Sequence, residues 1–164
     1  MELWELTARE SIRDLVARYN ANGDAGRFAE VLELFADDAA MEIATAGGEV
    51  ERYEGHDAIA TIFTGTKARW EGEAAGTPGG GGSASGARPE GQGRRRHVRH
   101  FTATHQIDVA DRTHATGRSY FAVLMTHGLD HWGRYIDTYE ERGGRWLFTL
   151  RRALPDGTRD DVGG

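Results

Sequence analysis

The spacing of apolar residues changes once along this chain, and that change constrains the fold more than any other feature. Before residue 64 they recur every three or four positions: Ile12, Leu15, Val16 and Tyr19, then Phe28, Val31, Leu32 and Phe35, then Ile59, Ile62 and Phe63. That is the period of amphipathic helices. After Val98 the period is two, over Val98–Val109, Ala115–Thr126, Trp132–Glu140 and Trp146–Ala153. Between the regimes, residues 71–93 hold nine glycines in 23 positions, with no apolar rhythm. Such a segment cannot offset its own ordering entropy, so it is expected as a disordered insertion within one domain spanning 1–164.

Local signals place the boundaries. Thr7-Ala8-Arg9-Glu10 has the form of a capping box for the first helix. Gly23 ends that helix, and Asp37-Asp38 closes the second. Met41–Ala44 and Glu49–Tyr53 read as short strands around Ala46-Gly47-Gly48, and Gly55-His56-Asp57 opens the third helix. Three helices followed by an antiparallel meander predict an α+β fold with the sheet curled around the helices.

Composition narrows the function classes. Net charge is −6, which argues against nucleic-acid or anionic-membrane partners. With no cysteine, thiolate nucleophiles and thiolate metal sites are excluded. The seven histidines contain no His-x-His pair and no His-Glu-x-x-His helix, and His100 has opposite strand parity to both His97 and His105. No phosphate loop, dinucleotide fingerprint or Gly-x-Ser-x-Gly elbow is present, so no metal or cofactor is expected. The start Met1-Glu2-Leu3-Trp4-Glu5 lacks the regions of a signal peptide, and a cytoplasmic location is expected. The basic run Arg94-Arg95-Arg96-His97-Arg99 reads as a solvated charge cluster.

The candidate chemistry is proton transfer. Asp24 lies at the break between the first two helices, and His100 lies in the first long strand. A carboxylate that orients an imidazole makes a general base without metal or cofactor. Asp24 also suits the N-cap of the second helix, and His100 also suits a hydrogen-bonded core position. On a regular strand His100, Thr102 and Thr104 share a face. Tyr135 and Asp137 share one further on, where Tyr135 can donate to a developing oxyanion or simply pack. Tyr19, Tyr53, Ser119 and His131 complete the candidate pocket wall.

The ordered set Ala8-Arg9-Glu10-Ser11-Ile12-Arg13-Asp14-Leu15, Tyr19 with Asp24, Leu34-Phe35-Ala36-Asp37-Asp38-Ala39, Tyr53-Glu54-Gly55-His56-Asp57-Ala58-Ile59, Arg99-His100-Phe101, Gly133-Arg134-Tyr135-Ile136-Asp137 and Gly144-Arg145-Trp146-Leu147-Phe148 resembles the SnoaL-like branch of the nuclear transport factor two-like superfamily. The resemblance implies a cone of curved antiparallel sheet, an α+β barrel, closed by helices around a deep apolar pocket. It implies a cofactor-independent lyase, dehydratase, isomerase or cyclase acting on a small apolar cyclic or polyketide-like molecule, as a homodimer. Asp24 and His100 fall where hexachlorocyclohexane dehydrochlorinase carries its Asp–His dyad. His100 and Tyr19 also fall at scytalone dehydratase positions, whereas the acid that follows the tyrosine there is Asn20 here. The same fold also serves as a non-catalytic ligand-binding module and as the small structural subunit of ring-hydroxylating dioxygenases, so both remain alternatives.

Overall fold

The computed structural model describes residues 1–45, 48–75 and 97–162. The Ala46-Gly47 part of the first turn, most of the glycine-rich segment and the Arg94–Arg96 part of the basic run lie outside these. Helix α1 spans Leu3–Asp24 and buries Ala8, Ile12, Leu15, Val16 and Tyr19, the face that the apolar spacing defines. It starts one turn earlier than the Thr7 signal suggests. Thr7 Oγ1 therefore donates to the Leu3 carbonyl at 2.9 Å instead of capping, a common role for threonine inside a helix.

Helix α2 is only Phe28–Leu32. The periodicity extended it to Phe35, but Phe35 begins strand β1 (Phe35–Ala44). There Phe35 pairs with Phe148, and the Leu34 carbonyl accepts the Phe148 N–H at 2.9 Å. Strand pairing outweighs the helical pattern because it adds long-range backbone hydrogen bonds and buries both phenylalanines. Strand β2 (Val50–Glu54) returns antiparallel to β1, and helix α3 (Gly55–Ala75) follows, carrying helix into the first five residues of the expected insertion.

Strands β3 (Arg99–Val109), β4 (His114–Met125), β5 (Gly128–Arg142) and β6 (Arg145–Thr158) form the expected meander. The full order is β2-β1-β6-β5-β4-β3. The sheet is mixed rather than purely antiparallel, because β1 runs parallel to β6. It is curved but not closed, with β2 and β3 as free edges, so the barrel implied by the resemblance is an open one. The fold is α+β with three helices, as read from the sequence.

Helix α1 crosses the inner side of the sheet at β3. Arg9 Nη1 donates to the Ile107 carbonyl, and Asn20 Nδ2 donates to Thr102 Oγ1. The main core gathers Ile12, Val16, Tyr19, Phe35, Tyr139 and Phe148. Burying each such side chain contributes about 1.5–3 kcal/mol. A smaller cluster of Val98, Phe121, Val123 and Tyr135 lines the inner face of β4 and β5 beside His100. No helix among the described residues is long and apolar enough to cross a membrane.

Candidate active site

Two elements far apart in sequence deliver Asp24 and His100 to one place. Asp24 is the last residue of α1, and His100 is the second residue of β3. The Asp24 carboxylate accepts twice from His100. Oδ2 takes the backbone N–H at 2.9 Å, and Oδ1 lies 2.5 Å from ring Nδ1. A carboxylate can only accept, so Nδ1 carries the proton and Nε2 is left as the basic nitrogen. Helix α2 is preceded by Arg27, with no side-chain cap, so Asp24 does not serve as its N-cap. The Asp24 side chain is 10% exposed and the His100 ring 28%, which leaves the ring reachable. The pair opens on a cleft of about 600 Å³ between the end of α1 and the edge strand, lined by Ala17, Ala21, Asp24, His100, Phe101 and Thr102 among others.

Aromatic rings form the wall behind the pair. Tyr135 stacks on Phe121 at 4.6 Å and meets Tyr19 edge-on at 6.2 Å. Burial pushes the Tyr135 hydroxyl well above its ordinary pKa, with the Tyr19, Asp137 and Asp24 charges adding to the effect and Arg151 opposing it, so it stays a neutral hydrogen-bond donor. Among the described residues it has no hydrogen-bond partner. The Tyr19 hydroxyl, also raised chiefly by burial, faces Met41 Sδ at 4.0 Å.

Below the rings lies a charged floor. Arg151 is fully buried, with its guanidinium 4.0 Å from the Tyr19 ring centre, 3.8 Å from that of Tyr135 and 4.6 Å from that of Phe148. Its Nε is 3.8 Å from Asp137 Oδ1. The Tyr139 hydroxyl donates to Asp137 Oδ2 at 2.9 Å and lies 3.3 Å from His105 Nε2. Burial pushes Asp137 up to about 6, against the pull of Arg151 and Tyr139. Burial, with Arg151 and Arg13, pushes His105 down to about 4. Ser119 Oγ, Asn20 Oδ1, Asp137 Oδ1 and three Arg151 nitrogens are buried with no hydrogen-bond partner among the described residues. Groups of this kind hold buried water or a polar part of a ligand.

The remaining sequence candidates separate. Thr102 is on the inner side, bonded to Asn20. Ser119 is adjacent to Tyr135 across β4 and β5, and His131 packs edge-on against Phe121 at 5.9 Å. Tyr53 stands on β2, the sheet edge opposite β3, and its hydroxyl donates to Glu51 at 2.7 Å.

Thr104 departs from the expected parity. It has φ 53°, and the β3–β4 register shifts between Ala103 and Gln106. This one-residue bulge turns Thr104 outward and brings His105 to the inner side with His100. A second bulge at Thr149, where Thr138 pairs with Leu150 but Tyr139 with Phe148, turns Arg151 inward. Strict alternation from Phe148 would have pointed Arg151 to solvent, so no sequence signal marked it. Among the described residues no group of three or more His, Cys, Asp or Glu is placed to hold a metal ion.

An open, curved six-stranded sheet with three helices is the fold of the SnoaL-like proteins. The chain belongs to the SnoaL-like domain family, whose sequence model matches residues 4–152. Among solved structures, a scytalone dehydratase-like protein of Novosphingobium aromaticivorans superposes with TM-score 0.70 at 20% identity, covering 98% of this chain and 91% of that one. The hexachlorocyclohexane dehydrochlorinase of Novosphingobium barchaimii gives TM-score 0.68 at 15% identity, covering 96% and 92%. A beta subunit assigned to an aromatic-ring-hydroxylating dioxygenase of Novosphingobium aromaticivorans gives 0.67 at 16% identity, covering 94% and 93%. At these identities the likeness is one of fold. No curated protein sequence matches the chain.

Proposed function

We propose that this protein is a cofactor-independent proton-transfer enzyme, a lyase, isomerase or cyclase, acting on a small, mostly apolar cyclic or polyketide-like substrate. The observation that carries the reading is the pair of hydrogen bonds that His100 donates to Asp24, which fixes the ring and leaves Nε2 as a base beside the cleft. His100 takes a proton from an acidified carbon, a hydroxyl or a water. Asp24 holds the tautomer and stabilises the imidazolium. The Tyr135 hydroxyl polarises a carbonyl or leaving group, with Ser119 and Thr102 near it on the wall.

A substrate-independent probe tests the base. 5-Nitrobenzisoxazole opens when a base removes its ring proton, and its leaving group needs no acid. His100→Gln should lower kcat/KM for this opening by ~10²–10⁴-fold, with thermal unfolding close to wild type. A variant that keeps the wild-type rate sinks the assignment. If the chain also purifies only with a larger partner, the structural-subunit reading takes its place.

A further inference from the structure

Asn20 and Thr102 meet at the same cleft as Asp24 and His100. Asn20 comes from the second half of α1 and Thr102 from β3, and all four residues line the cleft. Asn20 Nδ2 donates to Thr102 Oγ1. A hydroxyl has one proton, so a Thr102 oxygen that accepts from Asn20 turns its own O–H elsewhere. Among the described residues that O–H meets no acceptor.

The amide at position 20 makes the difference. A carboxylate there would only accept, and would take the Thr102 proton for itself. The amide reverses the bond. Its orientation follows from burial. Asn20 is 8% exposed, and its Oδ1 is buried with no hydrogen-bond partner among the described residues. Turned over, the amide would set both N–H donors at that unpartnered position, and an orphaned buried N–H is rarer than an idle carbonyl.

The spacing suits a carbonyl compound. The register shift in β3 comes after Ala103, so the strand is regular over His100–Thr102 and both side chains take the inner face. They stand about 6.6 Å apart along the strand. With contacts of about 3 Å at each end, an H–C–C=O unit bridges the two. The basic nitrogen of His100 meets the hydrogen, and the Thr102 O–H meets the oxygen.

We propose that Thr102 is a further catalytic residue, the hydrogen-bond donor to a carbonyl oxygen that gains charge, and that Asn20 is the positioning residue that frees its proton for that task. This rests on the reading of His100 as base, and it narrows the substrate to a carbonyl compound with an acidic C–H beside the carbonyl. His100 Nε2 takes that proton. The C–H electron pair becomes a C=C bond, and the carbonyl π pair moves onto oxygen. The enolate oxygen accepts from Thr102, which keeps its proton throughout. The His100 imidazolium exchanges its proton with solvent and returns one to carbon.

The test compares two probes that need the same base. Exchange of the ring CH₂ protons of 2-indanone for deuterium passes through an enolate and needs a donor at oxygen. Opening of 5-nitrobenzisoxazole does not, because its nitro group spreads the charge. Thr102→Val should lower kcat/KM for exchange by ~10²–10³-fold and leave ring opening within a few-fold, and Thr102→Ser should restore exchange. Asn20→Leu keeps the hydroxyl but not its orientation, so exchange should fall towards the Thr102→Val rate with ring opening retained. Wild-type exchange by Thr102→Val overturns the donor role while leaving the base intact. Equal losses on both probes also overturn it, by showing a merely structural role. Wild-type exchange by Asn20→Leu overturns the positioning role. Wild type that opens the ring but does not exchange 2-indanone overturns the carbonyl assignment. If His100→Gln opens the ring as wild type does, the base reading itself fails.

Discussion

One carboxylate, Asp24, accepts both the backbone N–H and the ring Nδ1–H of a single residue, His100, 76 positions away. Asp24→Ala removes both acceptors and leaves the His100 backbone N–H without one. The donor left unpaired should cost about 1–3 kcal/mol, read as a lower urea midpoint with unchanged slope. Probe turnover should fall with it. A midpoint unchanged from wild type would show that the doubled bond contributes nothing to stability.

The Arg151–Asp137 pair should behave as a unit. Both side chains are fully buried, 3.8 Å apart. Arg151→Met leaves a lone carboxylate under the aromatic wall and should destabilise by about 3–5 kcal/mol. Adding Asp137→Asn removes that charge while keeping an acceptor for Tyr139, and should recover most of the loss. Additive losses in the double variant would show that the two charges do not interact.

Asp137 and His105 should pull the pH dependence of stability in opposite directions. Asp137 is raised from 3.8 to about 6, so its contribution is fully present below its unfolded value and is lost as the pH rises through about 6. His105 is lowered from 6.5 to about 4, so its contribution is present above 6.5 and is lost as the pH falls towards about 4. The two windows overlap and offset each other. Asp137→Asn should steepen the loss of stability on acidification, and His105→Gln should reduce it, each by at most about 1.4 kcal/mol per pH unit. Urea unfolding across the interval reads both slopes, and parallel curves for the two variants would refute the opposition.

Gly117 provides the space that Tyr139 needs. A Cβ there would lie 2.8 Å from both Cε2 and the hydroxyl of Tyr139, and 3.2 Å from the Gln106 carbonyl. Gly117→Ala should cost about 1–3 kcal/mol and weaken the Tyr139–Asp137 bond. An alanine variant as stable as wild type would mean that the ring can move aside freely.

The sequence by itself determined the order and type of the elements, apart from the end of α2, with the α+β class and the residues of the Asp24–His100 pair. Apolar spacing is a local property, and the two periods leave little ambiguity about helix and strand. It also bounded the chemistry, since a chain without cysteine has no thiolate to offer. The tertiary structure decided which way the strands face. Bulges at Thr104, Asp130 and Thr149 each insert one residue, and one residue reverses the side-chain face beyond it. They bring His105 and Arg151 inward and put Asp130 against His131. The parallel contact of β1 with β6, which cut α2 short at Leu32, was likewise a choice between local helix and distant strand. Partners more than a hundred residues away made that choice, and no local spacing records them.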